Sequence, residues 1–402
     1  MQRASKNVER SAWDRIERGA GEIIPAAELQ QKLETSAATG QPLRVKLGID
    51  PSAPHLTLGH SVPLRKMRDF QDLGHIGVLV VGDFTRRIGD PSGKSSTRAL
   101  MGAEDIERNM ESYTEQAFKI LDPERTEIRY NSAWLGKLDF ADLIALTAKY
   151  TVARMLERDD FAKRFATERP ISILEFLYPL AQAYDSVAVR ADVELGGSDQ
   201  KFNLLIGRDI QREYGQAPQV VLTVPLLIGT DGVRSMSQTV GNYVGLSEPP
   251  EEMYGKVLAI PDELTESYFE QLTDLPAGDR EGLAPRDAKR LLARTLVGMY
   301  HSEEQALTAE QEFDRIHIRH ERPSDVEQLQ LERNAVKDDG TVWVVDLLER
   351  SGLVSSRGEA KRLIQQGGVR IDEKPVTDAN ADLLFDPPML VQVGKRRFVE
   401  LT

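Results

Sequence analysis

The chain reads as an α/β protein with a parallel-sheet domain first, an all-α domain next and a small α+β domain last. Three observations predict this. Residues 44–82 run strand, turn, helix, strand, the βαβ unit of a parallel sheet. After Pro249-Pro250 the strand patterns stop and amphipathic helices with acidic faces take over. Strand-like runs return beyond residue 341.

In order along the chain, Trp13, Ile16, Ile23, Ile24, Leu29 and Leu33 have helical spacing over residues 13–36. Arg44 to Ile49 is a strand that ends near Gly48, and His60 to Leu73 is a helix. His75 to Gly82 is an unbroken apolar run, as expected of a strand covered on both faces. Alternation continues through 127–130, 142–158, 172–184 and 199–214, and 220–227 is an apolar strand. Residues 263–272, 285–299 and 302–316 carry helical patterns, and the stretch from 321 to 340 is polar. The expected domains are 1–245, 246–325 and 341–402, with a linker over 326–340.

A chain of 402 residues accommodates two or three cores. Hydrophobic residues at 40% and charged residues at 29% are ordinary for a soluble protein, and the start of the chain lacks a secretory h-region. These features predict a cytoplasmic protein. The absence of cysteine excludes disulfides, thiolate metal sites and cysteine nucleophiles. A net charge of −13 weighs against a strongly basic nucleic-acid binder. The charge is uneven, however. Residues 341–402 hold nine basic and nine acidic side chains, so a local basic face is compatible with the acidic body.

Four segments carry chemistry. Gly59-His60 follows the first strand, where a helix N-terminus offers free N–H groups and a positive dipole end to phosphate. Alone, it reads equally as a helix cap. Gly89 to Gly93 invites a P-loop reading, but only three residues separate the glycines and a P-loop needs four. Tyr178, Gln182 and Asp185 have spacings of four and three, which put all three on one helix face. The fourth segment is Arg234-Ser235-Met236-Ser237-Gln238-Thr239, between Asp231-Gly232 and Gly241-Asn242.

The run Asp50 to His60 resembles the His-x-Gly-His hallmark of class I aminoacyl-tRNA synthetases, with Thr57 at the first histidine. The loop at 234–239 is similar to their Lys-Met-Ser-Lys-Ser loop, with Ser235 and Gln238 at the lysines. Tyr178 to Asp185 and Glu194 to Gln200 resemble the tyrosine pocket of the bacterial tyrosyl-tRNA synthetases. Residues 341–402 resemble the S4 RNA-binding fold.

The resemblance implies a Rossmann-like catalytic domain, a helical anticodon-arm domain and an S4-like domain. It implies ATP with Mg²⁺ (the metal not held by the protein), L-tyrosine and tRNA(Tyr) as substrates and partners. It also implies a homodimer joined through an inserted segment at about 130–205. Asp90, Tyr178, Gln182 and Gln200 would hold the amino acid's polar end, and Asp185 would accept its phenolic proton. Lys46 stands where many members place a second phenol partner. Asp50, Gly59, His60, Gly197, Asp199 and Met236 would bind the nucleotide. Ser52, Thr57, His60, Lys94, Arg98, Arg234, Gln238 and Thr239 would serve adenylate formation, with Arg234 supplying one charge in place of the lost lysines. Arg208, Arg212, Arg357, Lys361, Arg362, Lys395, Arg396 and Arg397 would meet tRNA, although a solvated charged face is the rival reading for these.

Removing one preorganised donor costs about 10²–10³ in rate. Thr57, Ser235 and Gln238 together therefore predict weakened activation. Two readings follow: a tyrosine–tRNA ligase with slow activation, or a paralogue that binds tyrosine or its adenylate and charges tRNA poorly, serving specialised biosynthesis, regulation or RNA binding.

Overall fold

A computed structural model of the chain describes residues 12–50, 55–90, 112–319, 326–332, 335–394 and 397–402. Its largest sheet comprises β1 (Glu22–Ile24), β2 (Arg44–Ile49), β3 (Ile76–Val81), β4 (Thr126–Tyr130), β5 (Val193–Gly197) and β6 (Val220–Val224). The order is β1-β6-β5-β2-β3-β4, with β1 antiparallel to β6 and every other pair parallel. β2 lies between β3 and β5. The chain thus leaves β2 in one direction and later returns on its other side, so the carboxyl ends of β2 and β5 form a topological switch point, where open α/β sheets bind ligands.

The local sequence explains these elements. Five of the six residues of β3, Ile-Gly-Val-Leu-Val-Val, are buried, because helices cover both faces. Helix α1 (Ala26–Thr39) precedes β2, and α2 (Leu58–Asp72) joins β2 to β3. Met67 and Gln71 of α2 press on β3 at Gly77, where a Cβ would stand 2.7 Å from the Met67 sulfur. Helix α3 (Ile173–Val189) is capped by Ser172, whose side chain bonds the start of the helix while Glu175 reaches back to the Ser172 N–H. It packs along α4 (Lys201–Glu213), where Gly207 leaves room for the Gln219 side chain ahead of β6 and lies close to Ser186 of α3: a Cβ there would collide with Gln219 Nε2 and stand 3.3 Å from Ser186 Oγ.

Several elements differ from the sequence expectation. Residues 13–36 are not one helix. Helix covers 12–17, Ile23 and Ile24 lie in edge strand β1 opposite Leu222 and Val221, and helix resumes only after Pro25. Two β-branched residues followed by a residue without an N–H suit an edge strand better than a helix interior. The stretch 142–158 holds two short helices, Phe140–Thr147 and Val152–Met155. β6 stops at Val224 because Pro225 cannot donate to the ladder.

By packing, the chain divides into Met1–Ser302 and Glu303–Thr402. The helices expected to stand as a separate module over 246–325 are split by this boundary. Those through Tyr300, namely α5 (Pro250–Leu258), α6 (Thr265–Leu272) and α7 (Pro285–Tyr300), belong with the sheet. They bury Tyr254, Tyr268, Phe269 and Leu272, and Lys119 ties Leu246 O to Tyr300 O. The second unit includes Glu303–His317. It contains α8 (Val344–Arg350), α9 (Arg357–Gln365) and a sheet whose hairpin, β8 (Met389–Val393) and β9 (Arg397–Leu401), pairs Val391 with Val399. The stretch expected as a linker supplies β7 (Gln328–Leu329), parallel to β9. Among the described residues no helix is long and apolar enough to cross a membrane.

Gly207→Ala is expected to destabilise the first unit by about 1–3 kcal/mol through overpacking against Gln219. A denaturation midpoint measured by circular dichroism checks this; an unchanged midpoint would contradict the close packing of Gln219 on Gly207.

Candidate active site

A cavity of about 740 Å³ opens at the switch point. The ends of β2, β3 and β5, the segment after β6, the start of α2 and one face of α3 line it. One end is polar and acidic. Tyr178, Gln182 and Asp185 share the α3 face as their spacing predicts, and all three reach the cavity. The Tyr178 hydroxyl donates to Asp50 Oδ2 at 2.9 Å. Gln182 Oε1 is enclosed and accepts no hydrogen bond, so the site offers an orphaned acceptor to a ligand donor. Gln200 Nε2 donates to Asp90 Oδ2 at 3.1 Å, which brings those two predicted residues together.

Asp185 is held from outside the predicted set. Trp134 Nε1 donates to its Oδ1 at 2.7 Å and Asn131 Nδ2 to its Oδ2 at 3.3 Å. The Asn131 amide also donates to Thr85 Oγ1 at 3.0 Å, and that hydroxyl donates to Asp50 Oδ1 at 3.2 Å. A polar chain therefore runs from Asp185 to Asp50 around the pocket. Sequence reading missed Asn131, Trp134 and Thr85, and no spacing signal marks them. Asp50, expected on the nucleotide side, lines the cavity and accepts from the Tyr178 hydroxyl. Burial pushes the Asp185 carboxyl up to about 7, against the pull of the Lys46 ammonium. Burial and then the Asp90 charge push Asp50 up to about 6, against the hydrogen bonds from Tyr178 and Thr85.

Lys46 requires a correction. It is fully buried and is not among the residues lining the cavity. Its ammonium pairs with Glu194 Oε1 at 2.8 Å and donates to Gln182 O at 3.0 Å and Ser186 Oγ at 2.9 Å. Two hydrogen bonds to α3 and an ion pair to β5 engage the ammonium, so Lys46 ties α3 to the sheet outside the cavity lining.

At the other end, Thr57 caps α2. Its N–H donates to His60 Nδ1 at 3.1 Å, and its hydroxyl lies 2.9 Å from the same nitrogen. Desolvation lowers His60 to about 4, so the ring is neutral near pH 7. With Nδ1 accepting, the remaining proton sits on Nε2 as a donor. Gly59 faces Met236, whose Cβ would lie 3.5 Å from a Cβ at 59. At Gly197 a Cβ would meet Asp199 Oδ1 at 2.5 Å and Leu226 at 2.7 Å, so any larger residue would push those two side chains aside. Met236, Ser235 and Arg234 line the cavity, whereas Thr239 is exposed and does not. The Gln238 amide donates to His55 O. Ser52, Lys94 and Arg98 lie outside the described residues. Among the described residues no cluster of three or more acidic or histidine side chains is placed to hold a metal ion.

The expected RNA contacts divide. Arg208 is buried, pairs with Glu28 at 3.0 Å and donates to Gln219 O, so it holds α4 to the sheet and is not a surface contact. Arg212 is half-exposed and paired with Asp209. In the second unit Arg357 and Lys361 lie over the Trp343 ring, 5.7 and 5.4 Å from its centroid. Arg357 also pairs with Asp346 and Glu349. Arg362 and Arg397 are exposed, with one Arg397 nitrogen on Leu353 O. Lys395 and Arg396 lie outside the described residues.

Residues 38–317 match the family of class I tRNA synthetases for tryptophan and tyrosine, and residues 342–385 match the S4 domain. The tyrosine–tRNA ligase of Moorella thermoacetica is 53% identical over 395 residues, covering 96% of this chain and 94% of that protein. The tyrosine–tRNA ligase of Geobacter sulfurreducens is 51% identical, covering 96% and 97%. In fold, the chain is similar to a tyrosyl-tRNA synthetase from Archaeoglobus fulgidus solved with L-tyrosine, at a TM-score of 0.59 and 22% identity over 75% of this chain and 99% of that one. A truncated mitochondrial tyrosyl-tRNA synthetase from Aspergillus nidulans gives 0.63 and 21% over 77% and 98%.

Lys46→Met should cost about 3–5 kcal/mol, because it strands a buried Glu194 carboxylate. Lys46→Met with Glu194→Leu should recover most of that loss. Chemical denaturation of the three proteins checks this; equal losses for the single and double variants would contradict the buried pair.

Proposed function

The chain belongs to the tyrosine–tRNA ligases of class I, and we propose that its cavity performs their two steps on residues of this chain. The first step joins L-tyrosine to ATP: a carboxylate oxygen of tyrosine bonds to the α-phosphorus, the bond from that phosphorus to the bridging oxygen breaks, and diphosphate leaves with the electron pair. The second transfers tyrosine to the terminal adenosine of tRNA(Tyr). Charging tRNA with tyrosine is the activity that the relatives' names carry, and it is favoured over the paralogue reading.

The observation that carries the assignment of roles is the α3 face. The unpartnered Gln182 Oε1 and the Tyr178–Asp50 pair stand at one end, and the buried Asp185 carboxylate stands at the other. An ammonium fits the first end, beside Asp90 and Gln200, and a phenol fits the second. A site built to bond a hydroxyl rejects the analogue lacking it by roughly 10⁴–10⁵. The neutral His60 donor, the glycine clearances at 59 and 197, and Asp199 suit a nucleotide at the other wall. Lys94 and Arg98 are proposed to act on the phosphates. Mg²⁺ would arrive with ATP, neutralising charge on its phosphates, without a protein cage.

Large apolar side chains stand exposed between residues 140 and 174, including Phe140, Val152, Phe165 and Ile173. They support a homodimer joined through the segment at about 130–205. Arg357, Lys361, Arg362 and Arg397, with Lys395 and Arg396, would meet tRNA phosphates, giving salt-dependent affinity. A cytoplasmic location accords with this role.

Two measurements test the reading. Because burial pushes the Asp185 carboxyl up to about 7 and its ionised form accepts the phenolic O–H more strongly than its neutral form, tyrosine affinity should rise as pH rises through about 7. Phenylalanine should bind far more weakly, without that rise. Calorimetry with both ligands checks this, and equal affinities would remove Asp185 from the role. Secondly, Ser235→Lys combined with Gln238→Lys should raise tyrosine-dependent pyrophosphate exchange at least about tenfold. No gain would show that the loop does not act through cations at those positions.

A further inference from the structure

Among the described residues that line the cavity, Arg234 is the only lysine or arginine, and it faces a wall bearing Asp50, Asp90, Asp185 and Asp199. A reaction that expels diphosphate needs positive charge where negative charge builds up. The surroundings of Arg234 are built to present it. Asp231 Oδ1 accepts the backbone N–H groups of Val233 and Arg234, each at 3.1 Å, and Oδ2 takes Arg234 Nε at 2.9 Å. Those hydrogen bonds, with one from Asn242, hold the Asp231 carboxyl well below the usual range, so it stays ionised.

Asn242 also clamps the loop itself, donating to Arg234 O and Ser235 O at 3.2 Å each and accepting from the Ser237 N–H at 2.8 Å. Met236 N–H bonds Leu227 O at 2.8 Å and the Met236 side chain lies against Gly59, which seats the loop over the start of α2. Asp231 engages Nε alone. The two Nη nitrogens make no hydrogen bond among the described residues, so the guanidinium keeps its outer fork for a bidentate anion.

We propose that Arg234 is a catalytic residue that receives the departing diphosphate, and that Asp231 is the positioning residue that orients its guanidinium. This rests on the reading of the cavity as a tyrosine and ATP site. Ser235 is neutral, and the Gln238 amide is already engaged with His55 O, so neither supplies this charge. Arg234 needs no swing into the site, because its loop already forms part of the wall.

The experiment compares tyrosine-dependent pyrophosphate exchange and tyrosine affinity for the wild type, Arg234→Ala, Arg234→Lys, Asp231→Asn and the Asp231→Asn/Arg234→Ala double variant. Melting curves verify that each is folded, with Arg234→Gln replacing any alanine variant that melts early. Arg234→Ala should lower exchange kcat at least about tenfold, the lower end for one lost charged donor, with tyrosine affinity unchanged. Arg234→Lys should recover little, because an ammonium has neither the Nε that Asp231 holds nor the fork. Asp231→Asn should lower kcat severalfold alone and not at all once Arg234 is alanine. Exchange within about twofold of wild type in Arg234→Ala would overturn the inference. So would a gain from Asp231→Asn, or the same loss from it in both backgrounds. A wild type that exchanges with tyrosine while Arg234→Ala does too brings down this inference alone; a wild type with no tyrosine-dependent exchange brings down the underlying reading as well.

Discussion

The pocket depends on a charge pair that no ligand touches. Lys46 of β2 and Glu194 of β5 are register partners in adjacent parallel strands, and both are sealed from water. Each charge alone would cost several kcal/mol to bury, so each persists because the other ion and further hydrogen-bond partners stand against it. The matching groups are Gln182 O and Ser186 Oγ on α3, and the Gln219 side chain ahead of β6. One pair thereby fixes the height and rotation of α3 over the sheet. Tyr178, Gln182 and Asp185 face the cavity because the adjoining side of their helix, at Ser186, is pinned in this way.

Above that brace the cavity is electrostatically lopsided. Burial disfavours the charge of both Asp50 and Asp185 and pushes their carboxyls up to about 6 and about 7. Asn131 and Thr85 link them through hydrogen bonds that favour the ionised forms. Such a wall favours an ammonium at one end and a phenol at the other, and it repels phosphate. Anion binding is left to the start of α2, the neutral His60 donor and the guanidinium on the facing loop. On the proposed reading this division would separate the two substrates by charge within one cavity.

Much of this arrangement was legible because its signals are local. The Tyr178, Gln182 and Asp185 stripe needs only helical spacing. The buried strand β3 announces itself as an apolar run, and Gly59-His60 opens α2 as expected. Resemblance carried the rest of the site set, and the relatives bear out the family and the S4 domain. The errors share a cause. Arg208 looked like a surface cation because helical spacing does not say which face is buried, and Glu28, which takes its charge, lies far away in sequence. Ile23 and Ile24 looked helical until β6 supplied a strand partner.

Local sequence determined which residues form strands and helices and which polar groups share a helix face, because these follow from backbone sterics and from side-chain periods of about 3.6 and 2. It also determined the thinned positive charge of the 234–239 loop, since charge is a property of residue type. Tertiary structure alone decided that Lys46 pairs with Glu194 outside the cavity lining, and that Trp134 and Asn131 grip Asp185. Burial and hydrogen-bond geometry are properties of neighbours in space, and most of these neighbours are dozens of residues apart along the chain.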